Sequence, residues 1–389
     1  MPEPTTLQEL AIPTTLDGPG GAAFSTIRGL FRQAGIEELG HDDLVTGDSV
    51  EIARIQPSAY GRHLIQVARR GQGPEAEIIG AAVVFLPSAE NRQSADVDLV
   101  VATRWRRQGV GSRLLRRVAD RCLERGRTVL NLYTGVSLDH GGEEAADRPV
   151  EGVLRPDSGA GWISLDAPGP AFAHRHGFTL GLVDRGSRAG IGIDDDAALA
   201  SLEERASASG TGYVLESWTG PVPDDDVADY CRIIERMDTD PPAGGLSFEP
   251  SRWDGPRLRT MEARRRNQGT TSVVTVAREL ASGHLVAYTE LVVFNGQDHL
   301  AFQEGTLVLP EHRGHRLGLR IKASNHRRLL QALPRVDRIY TWNAAENSYM
   351  LRVNEALGFS PSMMEGEWAR TGDPAWPNDR MALGTRPGG

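Results

Sequence analysis

The sequence predicts an α/β protein built from two tandem copies of one strand–loop–helix–strand unit. Three observations lead there. The chain has 389 residues, which suits two domains at roughly 150 residues each. Hydrophobic residues make up 39% and charged residues 24%, enough apolar material for packed cores and too much for wholesale disorder. Two segments about 207 residues apart also repeat one pattern of apolar spacing and glycine placement.

In the first half, ADVDLVVATRW (95–105) reads as a strand because Val97, Leu99 and Val101 alternate with Asp96 and Asp98. The loop Arg106-Arg107-Gln108-Gly109-Val110-Gly111 follows, with Ser112 next. Residues 112–126 carry Leu114, Leu115, Val118, Cys122 and Leu123 at helical spacing, and Gly126 is the stop. TVLNLYT (128–134) is the next strand. Residues 134–169, rich in acids, Gly and Pro, read as a long inserted surface loop. Proline is tolerated only in a first helical turn, so Pro168-Gly169-Pro170 places a two-turn helix from about Pro170 to Gly177. A Gly-, Ser- and Asp-rich stretch with a short helix near 196–206 marks the junction. The boundaries read as an N-terminal domain over 1–190, a linker helix over 191–210 and a C-terminal domain over 211–389.

In the second half, LAFQEGTLVLP (300–310) is the strand and EHRGHRLG (311–318) the loop. Residues 319–333 form the helix, stopped by Pro334, and RIYTWN (338–343) is the next strand. Asn347, Met350, Leu351 and Asn354 then fall on one helical stripe, and Gly358 suits the left-handed cap position.

Acids outnumber bases 52 to 43, a net charge of −9. That sign opposes nucleic-acid binding and favours encounter with a cation. Lys322 is the sole lysine; the dispersed arginines read as GC-rich coding. No apolar run approaches the ~20 residues of a membrane span, and the N-terminus lacks the basic start and apolar run of a signal peptide. Cys122 and Cys231 are too few for a disulfide framework or a cysteine metal cluster. The expectation is a cytoplasmic protein, monomer or homodimer, acting without nucleic acid, membrane or metal.

The loop–helix junctions carry the chemistry. First-turn amides have no intrahelical partner, the helix dipole is positive there, and glycine lets backbone approach an anion. Neither loop fits the G-x-G-x-x-G dinucleotide fingerprint. The strand, the R-x-x-G-x-G loop, the helix and the later segment instead resemble the GNAT acyltransferase superfamily, in a mycothiol synthase-like two-domain arrangement. TLVLPEHRGHRLGL and TWNAAENSYMLRVNEALGF carry the likeness most clearly.

That resemblance implies two tandem GNAT folds, each a mixed, splayed β-sheet flanked by helices. It implies acetyl-CoA as co-substrate, inserted between two parted strands, and direct acetyl (short acyl) transfer to a primary amine. For the second half it implies coenzyme contacts from Leu307, Val308 and Leu309 on the strand and from Arg313, Gly314, His315, Arg316, Leu317 and Gly318 in the loop. Asn343 and Asn347 lie further on. The matching first-half set is Val100, Val101, Arg106, Arg107, Gln108, Gly109, Val110, Gly111 and Ser112.

The tyrosine that protonates the thiolate in this superfamily matches Asn354 and, in the first half, Ala173. An amide is no proton source at neutral pH, which leaves water or Tyr349 for that step. The first half keeps the better phosphate loop but loses the helix that completes the cleft, so the second half is taken as catalytic. Glu304 is the candidate base, with a solvated or ion-paired strand carboxylate as the alternative; Asp96 and Asp98 are its first-half analogues. His312 and His315 read as exposed loop histidines, and Trp342 as a core residue or an acceptor-pocket wall. The functional reading is an N-acetyltransferase acting on a small cationic amine. The alternatives are a non-catalytic acyl-CoA-binding sensor and a protein-lysine acetyltransferase.

Overall fold

A computed structural model describes residues 4–73, 76–138, 152–208, 210–242, 244–246 and 249–371. The first half runs through β1 (Thr5–Leu10), α1 (Gly21–Leu39), α2 (Asp48–Arg54), β2 (Gly61–Arg70), β3 (Glu77–Pro87), β4 (Ser94–Val101), α3 (Val110–Leu123) and β5 (Val129–Ser137). A small hairpin, β6 (Val153–Leu154) with β7 (Ile163–Ser164), precedes α4 (Pro168–Arg175) and β8 (Thr179–Gly190). Helix α5 (Asp196–Ser207) leads into the second half: β9 (Tyr213–Thr219), α6 (Val227–Ile234), α7 (Gly255–Asn267), β10 (Thr271–Glu279), β11 (Leu285–Val293), β12 (Leu300–Val308), α8 (Leu317–Ala332), β13 (Arg338–Ala344), α9 (Ser348–Ala356) and β14 (Ser360–Thr371).

Twelve of these strands form one sheet in the order β1-β2-β3-β4-β5-β14-β8-β13-β12-β11-β10-β9. The order reads the same from either edge if β9–β13 repeat β1–β5 and β14 repeats β8. The last strand of each half is therefore traded: β14 pairs antiparallel with β5, and β8 with β13. β8 and β14 also pair with each other and fuse the halves into a continuous sheet.

The cores follow the exchange. Beneath the first half, Leu115, Val118, Leu132 and Phe178 pack with Met364 and Trp368 from the last strand. Beneath the second, Leu291, Ile339 and Phe359 pack with Ala189 from β8 and Leu199 from α5. Arg327 on α8 anchors α5 through Asp196 at 2.9 Å and Glu203 at 3.2 Å.

Some boundaries differ from the sequence reading. α3 and α8 begin at Val110 and Leu317, two residues before the apolar stripes, because the loops hand the chain directly into helical geometry. α4 begins at Pro168 and holds both prolines in its first turn, where a missing N–H costs nothing. Within the expected loop of 134–169, β5 continues to Ser137 and the β6–β7 hairpin forms; residues 139–151 of it lie outside the described residues.

Candidate active site

β12 and β13 are parallel partners only from Leu300–Gln303 against Arg338–Thr341. Beyond that, β12 bonds to β11 alone and β13 to β8 alone, so the strands part and leave a wedge between them. β12 carries a bulge here: Thr306 faces Thr289, but Gln303 faces Leu291. The extra residue breaks strict alternation, which would have separated the faces of 303 and 304, and lets Gln303, Glu304, Gly305 and Thr306 all line the wedge. Gly305 is required in this bulge, since a Cβ there would fall 2.0 Å from the Tyr288 hydroxyl.

The wedge opens into a cavity of about 600 Å³, a size typical of small-molecule sites at roughly 300–1,000 Å³. Trp342 and Asn343 of β13, Lys322 of α8, and Asn347 and Met350 at the start of α9 complete its inner wall. Asp238 and Glu249 stand on one side, and Tyr133, Asp184 and Glu367 extend the lining toward the first half. Five carboxylates face the cavity against one ammonium. Water reaches Glu304, yet protein surrounds that water on most sides. The enclosure raises the Glu304 pKa, Glu290 adds to the effect and Arg265 opposes it.

The two loops have matching backbones. Arg107 and Gly109 are left-handed in one, Gly314 and Arg316 in the other, so the glycine and arginine positions are interchanged on one geometry. Arg106 Nε donates to the Val101 carbonyl at 3.0 Å, and Arg313 Nε to Val308 at 3.1 Å. Their guanidinium groups also pair with Glu37 at 3.0 Å and Asp240 at 2.7 Å. Both arginines brace the loop and are committed to protein partners. Each helix then starts without a side-chain cap, which leaves its first amides available to an anion.

The surroundings of those helix starts differ between halves. A Cβ at Gly318 would lie 3.8 Å from its nearest neighbour, the Tyr349 hydroxyl, with Val308 at 3.9 Å. A Cβ at Gly111 would meet the Phe172 ring at 3.0 Å. Ser112 there hydrogen-bonds His176 at 3.1 Å.

The other sequence-chosen residues divide between wall, core and surface. Asn347 caps α9, its Oδ1 accepting from Met350 N at 3.2 Å, and also lines the cavity. Asn354 is fully buried behind the wall; its Nδ2 donates to Asn343 Oδ1 at 2.6 Å. Tyr349 is 53% exposed beside Gly318 and is not among the cavity-lining residues. Leu307 and Leu309 point into the core, whereas Val308 and the bulge present backbone with no strand partner on the β13 side. Val100 is core in the first half, packed among residues of α1. His312 and His315 are half-buried rather than exposed, both against Tyr213, edge-on for His312 and tilted for His315. Tyr213 hydrogen-bonds His312 at 3.1 Å. Trp342 stacks with Phe302 and lines the cavity.

Two features escaped the sequence reading. Lys322 enters the wall with Nζ 2.6 Å from Asn354 Oδ1; its being the only lysine was the available signal. The second is an acidic tract across the strand exchange: Glu38, Asp96, Asp98, Asp184, Glu365 and Glu367. Burial raises the pKa of Asp96 and Asp98 and pushes Glu38 up to about 7. Asp184 and Glu367 share a hydrogen bond and are both raised, chiefly by burial. Among the described residues no group of three or more His, Cys, Asp or Glu is arranged to hold a metal ion. None of the described helices is long and apolar enough to cross a membrane.

Comparison with known proteins places this geometry. Residues 46–141 match the acetyltransferase (GNAT) family. Among solved structures, the chain is similar to a tandem GNAT protein from the clavulanic acid biosynthesis pathway, at 24% identity and a TM-score of 0.67, covering 95% of this chain and 100% of that one. It also resembles a GCN5-related N-acetyltransferase from Sphaerobacter thermophilus at 11% identity and a TM-score of 0.59, covering 94% and 95%. A glucosamine N-acetyltransferase region of a fungal multi-domain β-N-acetylglucosaminidase matches at 14% and 0.57, covering 94% of this chain and 38% of that one. No curated relative matches the chain. The chain thus has the fold of a tandem GNAT protein, and residues 46–141 in its first half resemble the acetyltransferase (GNAT) family.

Proposed function

We propose that this tandem GNAT-type protein transfers an acetyl or other short acyl group from acyl-CoA to a primary amine of a small cationic molecule, using the second-half cleft. The observation that carries the reading is the cavity at the β12–β13 wedge, lined by Glu304 and by Lys322 of α8, the helix whose start carries no side-chain cap. Acetyl-CoA fits the residues present. The Leu317 and Gly318 amides offer an anion cradle without a blocking side chain, and the unpartnered β12 edge at 305–308 offers backbone groups for an extended amide arm. The thioester supplies the activated acyl group.

Glu304 removes a proton from the incoming ammonium, a task its raised pKa suits. Asp184, Asp238, Glu249 and Glu367 provide the negative field that draws a cationic acceptor into the cavity. The first half then serves as scaffold, because Phe172 lies against Gly111 at the equivalent helix start. Titration calorimetry with acetyl-CoA, together with thiol release over a panel of small amines, diamines and aminosugars, tests the proposal. Release with cationic amines supports it. Tight binding without release for any amine supports an acyl-CoA sensor instead, and labelled lysines in a lysate incubated with labelled acetyl-CoA would point to protein substrates.

A further inference from the structure

We propose that Lys322 is the proton donor to the departing sulfur, the duty for which the second half has no tyrosine. The inference rests on the reading of that half as catalytic.

Lys322 lines the cavity although its side chain is only 1% exposed. Its Nζ donates to Asn354 Oδ1 at 2.6 Å, and Asn354 donates in turn to Asn343 Oδ1 at 2.6 Å, on the strand that forms one side of the wedge. Asn354, at the tyrosine position, thereby holds the ammonium in place. Among the described residues no carboxylate pairs with Lys322; its ammonium lies 5.5 Å from the Phe359 ring. The buried His326, one turn further along α8, has its pKa lowered by burial and then by the Lys322 charge, so it is neutral and supplies no anion. A buried ammonium without an anionic partner is costly, and a fold that needed only packing would not keep one.

The first half supplies an internal control. The positions equivalent to Lys322, Asn354 and Asn343 are Leu115, Ala173 and Thr134. Leu115 and Ala173 are fully buried in an apolar core. The first half thus fills these positions with apolar side chains and no cation.

The residue type points the same way. Lys322 is the one lysine among 43 Lys and Arg residues, so a composition that supplies arginine elsewhere has kept lysine here. Guanidinium does not release its proton near neutrality, whereas a buried ammonium does. Burial lowers the Lys322 pKa to about 7.

The step balances. The acceptor nitrogen, freed of one proton by Glu304, bonds to the thioester carbon; the carbon–sulfur bond breaks and sulfur keeps its electron pair. Lys322 Nζ gives its proton to sulfur and is reprotonated from cavity water. The nitrogen loses two protons and sulfur gains one, so one proton leaves for solvent.

The test exploits the single lysine. Protein labelled with 13C-lysine carries one lysine side-chain signal, whose pH titration is expected to have its midpoint near neutrality and to move when acetyl-CoA is added. A midpoint near 10, unaffected by acetyl-CoA, overturns the proposal without any activity measurement. Lys322→Met and Lys322→Arg are then expected to lower kcat with acetyl-CoA about 100-fold or more, with KM for acetyl-CoA changed less than about 3-fold. With the acetyl ester of an acidic arylthiol, which departs unprotonated, the deficit should shrink below about 10-fold. An equal deficit with both thioesters marks a structural role and overturns the inference, as does normal turnover by Lys322→Met. No thiol release by the unmodified protein with any amine defeats the transferase reading and this inference together. Should both variants fail to fold, the titration of the unmodified protein decides.

Discussion

Asp184 on β8 and Glu365 on β14 are direct cross-strand partners, each supplied by the final strand of a different half. They are also counterparts in the repeat: Asp184 follows the left-handed Gly177 by seven residues, and Glu365 follows Gly358 by seven. Like charges directly opposed on a sheet are unfavourable. Burial raises the Glu365 pKa to about 7, and the Asp184, Glu38 and Asp98 charges contribute to that rise.

That arrangement makes stability depend on pH in a definite direction. A carboxyl whose folded pKa lies above its unfolded value binds its proton more tightly when folded, so the stabilisation is present at low pH and lost as pH rises. For Glu38 and Glu365 the window runs from the ordinary glutamate value of 4.5 to about 7. Thermal midpoints should therefore fall between pH 5 and 7.5. Glu365→Gln should flatten the slope, with a contribution on the order of 1–3 kcal/mol. A midpoint that rises over this range would contradict the account.

Glu304→Gln is expected to lower kcat about 100-fold or more while leaving acetyl-CoA affinity within about 2-fold. The acid limb of kcat/KM for the amine, which reports Glu304 losing its proton as pH rises, should vanish in the variant. Steady-state kinetics from pH 5 to 9 checks both.

Gly318→Ala has room for its Cβ and should bind acetyl-CoA within about 3-fold of the parent protein, whereas Gly318→Glu puts a negative charge at the anion cradle and should weaken binding about 100-fold or more. Gly111→Ala meets Phe172 and should lower stability by about 1–3 kcal/mol with acetyl-CoA affinity unchanged. Calorimetry on these three variants and on Gly111→Glu distinguishes the halves; loss of binding in Gly111→Glu with binding kept in Gly318→Glu would assign the coenzyme to the other cleft.

Trp368 lies near the C-terminal end of β14, yet it is 1% exposed within the first-half core and donates to Thr134 Oγ1 at 2.8 Å. Trp368→Ala should cost about 3–5 kcal/mol. The loss should register first as amide exchange in β5, the strand paired with this part of β14. Hydrogen exchange by mass spectrometry reads it directly.

The sequence made the repeated unit legible because apolar alternation, loop glycines and helical spacing are local signals. The wedge and the coenzyme contact of Asn347 came instead from the family likeness, and the capping role of Asn347 from the structure alone. The helix start near Leu317 and Gly318 and the strand carrying Glu304 followed from the local signals. The bulge did not: one extra residue in β12 leaves no mark in a strand of nine, yet it moves Glu304 and Gly305 onto the cavity wall. The strand exchange was equally hidden, since β8 and β14 carry the same pattern whichever neighbour they choose. Asp184, Glu365 and Glu367 gather only through that choice, so their meeting could not be read from residues 181 positions apart. The interchange of Arg107-Gly109 with Gly314-Arg316 shows the opposite case, where the residues changed and the backbone did not.

The traded strands also constrain how the chain is made. While a ribosome is still assembling the second half, β5 waits with one edge bare, because the neighbour it will bond to is the last strand to emerge. Trp368 and Met364, which seal the early core, arrive near the end of the described residues. The first half is committed to maturing last in completeness though it is born first, and a polypeptide cut short just before Ser360 forfeits both halves at once.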